Sequence, residues 1–454
     1  MTCTFLPFCR RTILQGLLCI NLVGAASAEN PIVVGKGLTD PAPRVYNDKI
    51  YLYATHDASP NSKNFTMNDW WVWSSDDLVS WKYESTLKPE DIYWGKPSAS
   101  CWATDGISSH GKYYFYFSCG AEELGVVEGD TPVGPWTDTL HKPFVAAKST
   151  PTAARDPAIF QQPDGTTYAV FGCWRYFIAK LNPDMITLAE EPRELELDQK
   201  MGPYGAGKTD DKPYLHFYNG KYYLSWGCFY AMSDNLYGPY TYKGCVITKE
   251  TTVPEFQRDL VHDRHGAFFE FHHQWYFACN DKSWPGTSWL FRDTVISYVH
   301  YHDDGTIAPV RLDRVGVGQY DGQRVIEAED YFDAEGAMPR ESAGASGGFE
   351  LRGIHDGSHV EYPRVMNLPA HTTISLQYST NAKAATTVEV HEGKPGGPLL
   401  GTCKLPDTGG WMNYRMVSTS LGNTAGTRDI CLVFHGDSDE GPHLDWISFV
   451  PPID

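Results

Sequence analysis

The sequence predicts an all-β protein in which a five-bladed β-propeller is followed by a β-sandwich of the jelly-roll type. A short phrase recurs along the chain, in which an acidic residue and a proline lead through an Asn/Asp-Gly-like turn into a Tyr-rich strand. Turn formers are abundant, with 42 Gly and 30 Pro in 454 residues, and 14% of the residues are aromatic. Beyond residue 320 the repeat gives way to short alternating strands with Gly-rich turns, which indicates a second domain.

The recurring phrase divides the first domain into five units of roughly 50 to 65 residues. The units begin near residues 40, 102, 156, 211 and 265. Alternating patterns and Gly/Pro turns within each unit predict four-stranded blades. Because the innermost strand of every blade lines the central channel, we expect the residues that begin the units to meet at one mouth of that channel.

The N-terminus has the pattern of a secretory signal peptide. Arg10 and Arg11 precede an apolar stretch, and a small-residue cleavage site ends at Ala28. We therefore predict a signal peptide over 1–28, a propeller over 29–320 and a sandwich over 321–454. The protein is expected to be secreted or periplasmic, exported by the general route or, given the paired arginines, by the twin-arginine route.

The charge balance excludes two classes of partner. The formal net charge is −19, and removal of the signal peptide, which carries two arginines and no acidic residue, makes the mature chain more negative. Such a surface repels nucleic acid and anionic membrane lipid, and it suits a neutral ligand such as a plant cell-wall polysaccharide or oligosaccharide. No segment after the signal peptide is long and apolar enough to span a membrane. We expect a monomer.

Eight cysteines remain once the signal peptide is removed, and none of them forms a CxxC pair. This spacing argues against a cysteine-bound metal. Cys403 and Cys431 are candidates for a disulfide in an exported domain. The other cysteines are equally well explained as small buried apolar residues.

Three acidic residues begin units of the repeat. Asp40 and Asp156 are each followed by proline, and Asp211 is followed by Lys212-Pro213. A single Asp-Pro pair is more often an ordinary start of a strand. Two pairs at equivalent positions favour a functional role, because convergent carboxylates are the groups that cleave glycosidic bonds.

These motifs resemble family 43 glycoside hydrolases, which are five-bladed propellers with an inverting mechanism. The resemblance covers about residues 32–318, and it depends on Asp40-Pro41, the phrase Trp102-Ala103-Thr104-Asp105, Asp156-Pro157 and His265-Gly266. It implies an enzyme that releases arabinofuranosyl or xylosyl units, or galactosyl units, from plant cell-wall polysaccharide.

The resemblance also implies a role for each carboxylate. Asp40 would be the general base that activates water, and Asp156 would tune the pKa of the general acid and orient the sugar. The general acid position falls on Asp211, nine residues before Gly220, where the family has Glu. A nearby Lys212 would lower the pKa of Asp211, which opposes the raised value an acid needs.

Several other residues are candidates for the site. Glu255 and Asp210 are alternative general acids. His265 matches the family's channel histidine, which faces a calcium ion or its water, although a lone histidine is often an ordinary core residue. Arg264 is predicted to clamp sugar hydroxyls or to pair with Asp263, and Trp102 to stack on a sugar or to pack between blades.

The C-terminal part resembles a family 6 carbohydrate-binding module, through Ile326-Glu327-Ala328-Glu329 and Leu444-Asp445-Trp446. The resemblance implies a structural calcium held by Glu327, Glu329 and Asp445, whose hard oxygen ligands calcium prefers. The alternative is that these are solvated edge charges.

The sugar site of this module departs from its family's pattern. Trp411 matches one of the two aromatic residues that hold the sugar. The second aromatic position falls near Ile354-His355, and His443 takes the place of an Asn. The resemblance therefore implies glycan binding that is weak, altered in specificity or absent.

Two other functions fit the same features. A non-catalytic glycan-binding propeller would have lost its general acid when Glu became Asp. A retaining enzyme of the sucrose-cleaving type would need an Asn-Asp-Pro phrase, whereas the chain has Thr39-Asp40-Pro41.

Overall fold

The computed structural model describes residues 29–282, 286–436 and 440–449, so the predicted signal peptide lies outside the described residues. Strands dominate these ranges, which confirms the all-β prediction. The helical segments within them are the short 3₁₀ turns Pro89–Asp91, Pro254–Phe256 and Ser346–Gly348. No helix of the described part could cross a membrane.

Five antiparallel sheets form the first domain, one for each predicted unit. Blade one contains β1 (Leu38–Tyr46), β2 (Lys49–Asp57), β3 (Met67–Ser75) and β4 (Lys82–Leu87), and blade two contains β5 (Cys101–Ser109), β6 (Lys112–Cys119) and β7 (Glu123–Gly129). Blade three contains β8 (Ala158–Gln161), β9 (Thr167–Phe171), β10 (Phe177–Lys180) and β11 (Arg193–Glu194). A small hairpin of β12 (Met201–Gly202) and β13 (Gly205–Ala206) precedes blade four, which contains β14 (Pro213–Tyr218), β15 (Lys221–Trp226), β16 (Phe229–Ser233) and β17 (Thr241–Cys245). Blade five contains β18 (Gly266–Phe271), β19 (Gln274–Asp281) and β20 (Asp293–Val299).

The innermost strands close into a ring. β1 contacts β5, β5 contacts β8, β8 contacts β14, β14 contacts β18, and β18 returns to β1. The first described residues secure this closure, since the Ile32 amide donates to the Thr294 carbonyl at 2.9 Å and the Asn30 side chain donates to the Ile296 carbonyl at 2.9 Å. The five-bladed propeller is confirmed, and the heads of its units surround one channel.

The prediction of four strands in every blade is wrong for two blades. Blades two and five have three strands in their sheets. In blade two the chain after β7 passes through Val133-Gly134-Pro135-Trp136, and isolated bridges, Glu128 with Thr137 and Leu124 with Val145, join it to the sheet in place of a strand. Proline cannot donate to a strand ladder, which limits a fourth strand at this edge.

Two facing sheets form the C-terminal domain, as predicted. The first has the order β21 (Tyr320–Asp321), β26 (His359–Leu368), β31 (Gly426–His435), β28 (Thr386–Glu392) and β29 (Leu399–Leu405), with β23 (Asp333–Glu335) also on β26. The second has the order β24 (Met338–Glu341), β25 (Phe349–Arg352), β32 (His443–Ser448), β27 (His371–Thr380) and β30 (Gly410–Asn423), with β22 (Val325–Glu327) also on β32. Apolar side chains of both sheets form one core.

The two domains are joined by side-chain contacts as well as by the chain. Arg311 pairs with Asp330 at 2.8 Å, and His300 contacts the same carboxylate at 2.9 Å. Tyr331 donates its hydroxyl to the His273 carbonyl at 2.8 Å. These contacts fix the sandwich against blade five.

The proposed disulfide between Cys403 and Cys431 is wrong. Both residues are free thiols, on β29 and β31, and β28 lies between those two strands. Two strand spacings of about 4.8 Å exceed the Cα separation of about 4.4–6.8 Å that a disulfide allows. The buried positions of both residues agree instead with their packing as small apolar side chains.

Candidate active site

A small pocket opens at the channel mouth where the heads of the units meet. Its volume is about 160 Å³, and it is lined by Asp40, Phe65, Met67, Trp102, Arg155, Asp156, Asp211, Asp263, His265 and Arg292. The convergence of the three predicted carboxylates is therefore a property of the structure. His265 and Trp102 also line the pocket, whereas Arg264, Asp210, Glu255 and Trp411 do not.

The backbone at Asp40 and Asp156 directs both side chains into the channel. Each residue precedes a proline and has a left-handed conformation, with φ of 51° and 57°. Pairing between β1 and β2 is irregular between Thr39 and Ala42, so Asp40-Pro41 lies in a bulge. Bulges commonly re-aim a side chain beside an active site, and left-handed non-glycine residues are costly unless their surroundings hold them.

Blade four breaks this equivalence. The left-handed residue before its proline is Lys212, with φ of 55°, and Asp211 lies one residue earlier. Asp211 is therefore not the structural counterpart of Asp40 and Asp156. It nevertheless lines the same pocket.

Asp40 is buried and held by three partners. Its Oδ1 accepts from Asn280 Nδ2 at 2.7 Å and from Arg292 at 2.9 Å, and it lies 3.0 Å from His265 Nδ1. Asn280 Oδ1 accepts from the Asp40 backbone amide at 2.7 Å. Burial alone would raise the pKa of Asp40, but Arg292 and His265 outweigh burial and hold this pKa well below its ordinary value. Asp40 is thus a carboxylate at any ordinary pH.

Asp156 is as buried as Asp40 but has different partners. Its Oδ2 accepts from the Lys212 amide at 3.0 Å, and its own amide donates to Ser118 Oγ at 2.7 Å. Burial and the neighbouring Asp211 carboxylate raise the pKa of Asp156. One carboxylate oxygen of each of these two acids lies within 4.8 Å of the other, so they are electrostatically coupled.

Asp211 is the most accessible of the three acids, with 24% of its side chain exposed. Its Oδ2 accepts from Arg155 at 3.1 Å, and its Oδ1 makes a short contact with His265 Nε2. Burial opposes its charge, but His265 and Arg155 more than offset this and hold the pKa of Asp211 below its usual range. Without a substrate, Asp211 is therefore ionised.

His265 connects Asp40 to Asp211. One ring nitrogen faces each carboxylate. Burial disfavours a charged imidazole, but the two carboxylates outweigh burial and raise the pKa of His265 well above its ordinary value. The imidazole ring therefore lies between the two carboxylates and keeps them apart, and an inverting mechanism needs such a gap between its two acids.

The alternative general acids do not face the pocket. Glu255 is 48% exposed and pairs with Arg314 at 3.8 Å. Asp210 is buried behind Asp211, whose amide donates to its Oδ1 at 3.0 Å. Burial and the adjacent Asp211 raise the pKa of Asp210 to about 8, so it is a protonated carboxyl group with no direct path to a substrate.

The expected influence of Lys212 on Asp211 is wrong. The Lys212 side chain is fully buried, and its Nζ donates to the Thr104 carbonyl at 2.8 Å, across the channel. Burial lowers the pKa of Lys212. The cations that act on Asp211 are Arg155 and His265.

The predicted role of Arg264 is also wrong. Its guanidinium group is buried and donates to the carbonyls of Leu260, Asn280 and Phe256 and to Asp281. It therefore supports the segment that carries His265 and cannot reach a sugar. The expected partner Asp263 pairs instead with Lys282 at 2.9 Å.

The pocket arginines, Arg155 and Arg292, were not predicted from the sequence. Arg155 directly precedes Asp156, and this position at the head of a unit was a usable signal. Arg292 lies on no recognised motif, yet it binds Asp40, Asp57 at 2.9 Å and Asp263 at 3.1 Å. Asn280 on β19 was likewise missed, because nothing in its local sequence distinguishes it from other strand residues.

Two groups around the channel could hold a metal ion. Asp40, Asp263 and His265 form one, and Asp156, Asp211 and His265 form the other. Calcium takes six to eight oxygen ligands. Each group offers a nitrogen and two carboxylates, and arginine already neutralises a carboxylate in each, so these residues fit calcium poorly.

The acidic cluster of the C-terminal domain differs in this respect. Oε2 of Glu327 and Oε2 of Glu329 are buried without a hydrogen-bond partner. Burial, followed by neighbouring carboxylates, raises the pKa of Glu327 to about 7 and that of Glu329 well above its ordinary value. Burial also raises the pKa of Asp445 to about 6, although its Oδ1 accepts from the Ser346 amide at 2.8 Å. Orphaned carboxylate oxygens of this kind fit a hard cation.

The predicted sugar-binding aromatic of this domain has one face covered. The Trp411 ring stacks on His443 with a centroid distance of 4.3 Å. His443 lies 3.0 Å from buried Glu350, which also accepts from the Tyr414 hydroxyl at 2.6 Å. Trp411 therefore has a single face left for a ligand.

Comparison with known families agrees with both halves of this description. Residues 28–307 match the family model described as Glycosyl hydrolases family 43, and residues 327–451 match that of Carbohydrate binding module (family 6). The first match spans more than half of the chain. This protein belongs to glycoside hydrolase family 43. It is therefore a glycosidase of an inverting family and not the non-catalytic alternative.

The relatives of this family 43 enzyme align with different shares of its chain. It is 29% identical to an arabinoxylan arabinofuranohydrolase of Paenibacillus polymyxa, over 93% of this chain and 74% of the relative. It is 30% identical to a xylosidase/arabinosidase of Bacteroides ovatus, over 62% of this chain and 96% of the relative.

Solved structures show the same architecture. A family 43 arabinoxylan arabinofuranohydrolase from Bacillus subtilis, in complex with cellotetraose, superposes with a TM-score of 0.55 at 23% identity, covering 93% of this chain and 97% of the other. A β-xylosidase/α-arabinofuranosidase from a compost metagenome, in complex with xylotriose and in calcium-free form, gives 0.53 at 26% identity, covering 63% and 98%.

Proposed function

We propose that this family 43 enzyme is an exported arabinofuranohydrolase that removes arabinofuranosyl branches from arabinoxylan. The observation that carries the proposal is the pocket of about 160 Å³ in which Asp40, Asp156 and Asp211 converge. Ligand pockets for larger molecules are about 300–1,000 Å³, so this one suits a single sugar unit. The named activities of the relatives from Paenibacillus polymyxa and Bacteroides ovatus support an arabinosyl or xylosyl unit.

The proposed reaction begins at Asp40. This carboxylate accepts a proton from a water molecule, which attacks the anomeric carbon from the face opposite the leaving oxygen. Arg292 and Asn280 keep Asp40 ionised and fix its orientation. The C–O bond to the leaving sugar breaks as the new bond to water forms, and the anomeric configuration inverts.

Asp211 donates the proton that the leaving oxygen needs. In the free enzyme Asp211 and Asp40 raise the pKa of His265, so His265 holds this proton beside Asp211. A sugar in the pocket displaces water and weakens the ionised form of Asp211, because desolvation disfavours charge. Asp156 adds a negative charge within 4.8 Å, which also favours the protonated state of Asp211. Both effects raise the pKa of Asp211 when substrate is bound, so Asp211 can carry a proton then although it is ionised in the free enzyme.

The calcium ion belongs to the C-terminal domain in this proposal. Glu327, Glu329 and Asp445 would hold it, and it would neutralise carboxylates that have no protein cation of their own. The ion would take no part in hydrolysis.

Export is part of the proposal and depends on the leader pattern that ends at Ala28. Expression of the full-length gene should yield a mature protein that begins at Glu29 outside the cytoplasm. N-terminal sequencing of the exported protein checks this, and an uncleaved cytoplasmic product would contradict it.

The proposed function is tested by the sugars that the enzyme releases. Wild type and Asp40→Asn are incubated with wheat arabinoxylan, arabinan, xylobiose and a β-1,3-galactan, and products are separated by anion-exchange chromatography. Arabinose from arabinoxylan is expected as the main product, and the Asn variant should lose about 10²–10⁴-fold in rate. Xylose or galactose as the main product would overturn the substrate, and an active Asp40→Asn variant would overturn the mechanism.

A further inference from the structure

Four exposed aromatic side chains stand beside the pocket as two pairs. Phe65 and Trp289 form one pair, with ring centroids 5.7 Å apart, and Trp174 and Tyr204 form the other at 5.4 Å. Trp174 is 41% exposed and Tyr204 51% exposed. Large apolar side chains rarely remain exposed in contiguous groups unless a ligand or a partner covers them.

The Trp174–Tyr204 pair is tied to the segment that carries Asp211. The Trp174 amide donates to the Asp210 carbonyl at 3.2 Å, and the Thr209 hydroxyl donates to the Trp174 carbonyl at 2.9 Å. Tyr204 forms the tip of the β12–β13 hairpin, which the Trp226 indole anchors through the Met201 carbonyl at 2.8 Å. Both rings are thereby held on the side of the pocket where the general acid lies.

The Phe65–Trp289 pair is tied to the opposite side. The Arg292 guanidinium lies 5.1 Å from the centroid of Phe65, and the same arginine binds Asp40. Lys282 lies 5.1 Å from the centroid of Trp289 and pairs with Asp263. One aromatic pair therefore accompanies the general base and the other accompanies the general acid.

The two sides of a glycosidase site face different parts of the substrate. The general acid contacts the leaving oxygen, so the groups beside it contact the leaving part of the substrate. An aromatic face offers apolar contact area, and the Tyr hydroxyl adds a hydrogen bond. A pyranose has an apolar C–H face and polar edges, which match such a surface.

We propose that Trp174 and Tyr204 form the platform for the leaving group, a chain of β-linked xylopyranose units from which the arabinofuranosyl branch projects into the pocket. This inference rests on the proposed function and specifies the leaving part of its substrate. The platform binds the chain through stacking and adds nothing to the chemistry at the anomeric carbon.

Two substrates with the same glycone test the platform. An arabinoxylo-oligosaccharide places xylose units on the acid side, whereas arabinofuranosyl fluoride has a single atom as its leaving group. Trp174→Ala and Tyr204→Ala should raise KM for the oligosaccharide about tenfold or more, equivalent to loss of one good contact. Hydrolysis of the fluoride should fall far less, so the ratio of the two kcat/KM values is the readout.

Tyr83→Ala is the matched control, because Tyr83 is 46% exposed on β4, an outer strand of blade one. This variant should leave both substrates at wild-type rates. Melting temperatures of all three variants establish that each is folded. Equal losses on oligosaccharide and fluoride, or no loss on either, would overturn the platform. A wild type that hydrolyses the fluoride but not the arabinoxylo-oligosaccharide would instead overturn the proposed function.

Discussion

The propeller pocket and the acidic cluster of the sandwich both gather carboxylates, but they neutralise them differently. In the pocket, Arg292 and His265 hold the pKa of Asp40 below its ordinary value. In the sandwich, burial and mutual repulsion raise the pKa of Glu327 to about 7, and burial raises that of Asp445 to about 6. The pocket therefore carries its own cations, whereas buried carboxylate oxygens of the cluster have no hydrogen-bond partner, which is the observation behind the proposed calcium site.

This difference indicates two uses of the same residue type. Built-in cations fix the charge state of the pocket before substrate arrives, which is what a preorganised catalytic site requires. An unneutralised cluster gives binding energy to a metal ion and couples that ion to folding. Changes to the two regions should accordingly affect different quantities, activity in the first and stability in the second.

The largest effect is expected at the general acid. Asp211→Asn should reduce hydrolysis of arabinoxylan by about 10²–10⁴-fold, because no proton reaches the leaving oxygen. On dinitrophenyl arabinofuranoside the loss should be much smaller, since that leaving group departs without a proton. Steady-state rates on both substrates provide the measurement.

Asp210→Asn is the control for that prediction, because the amide keeps an oxygen for the Asp211 amide. It should retain most of the activity on both substrates. If Asp210→Asn abolished activity on arabinoxylan and Asp211→Asn did not, the general acid would be Asp210 and the assignment from the pocket lining would be wrong.

Removal of a built-in cation should have the next largest effect. Arg292→Met leaves Asp40 and Asp57 buried without their cation, and loss of one partner of a buried pair costs about 3–5 kcal/mol. Urea unfolding measures the free energy. The matched change Arg175→Met removes a surface pair with Glu194 at the edge of blade three and should scarcely alter stability. Equal effects of the two variants would refute the account of the pocket.

The smallest effect concerns calcium and pH. A carboxyl group with a raised folded pKa stabilises the fold at low pH and loses that stability as pH rises through the folded value. In EGTA the melting temperature of the sandwich should therefore fall as pH rises from about 4 towards 7, because burial raises the pKa of Glu327 to about 7. Added calcium should restore several degrees at pH 7.5, as measured by calorimetry.

Glu327→Gln should weaken this response to calcium, whereas the exposed Glu335→Gln should keep it. Hydrolysis of a small aryl arabinofuranoside at 25 °C should be the same with EGTA or calcium. Activity that vanished in EGTA while the protein stayed folded would place an essential ion in the propeller.

Much of the fold could be predicted because the repeat marks the unit heads. Asp40 and Asp156 were found because each precedes a proline at an equivalent position. Counting residues back from the turn glycine of blade four predicted that Asp211 is equivalent to them. In the structure, the residue with the equivalent left-handed conformation is Lys212. The spacing of residues in the sequence does not predict which of them adopts this backbone conformation.

The cations of the pocket could not be predicted in the same way. Arg292 and Asn280 lie at blade-five positions with no motif, and only the closure of the ring brings them to Asp40. Arg264 lies next to a motif and was predicted to bind sugar hydroxyls. Its side chain is buried and donates to backbone carbonyls instead. A residue that is next to a site residue in the sequence therefore need not lie in the site, whereas blade packing can bring a distant residue into it.

The stereochemistry of the first product tests most directly whether the pocket works as an inverting site with a base and an acid on opposite sides of His265. Proton NMR of an arabinofuranoside during its first minutes of hydrolysis resolves the two anomers before they equilibrate. The inverted anomer should appear first. First appearance of the retained anomer would contradict it, because retention requires a carboxylate nucleophile at a shorter separation from the acid.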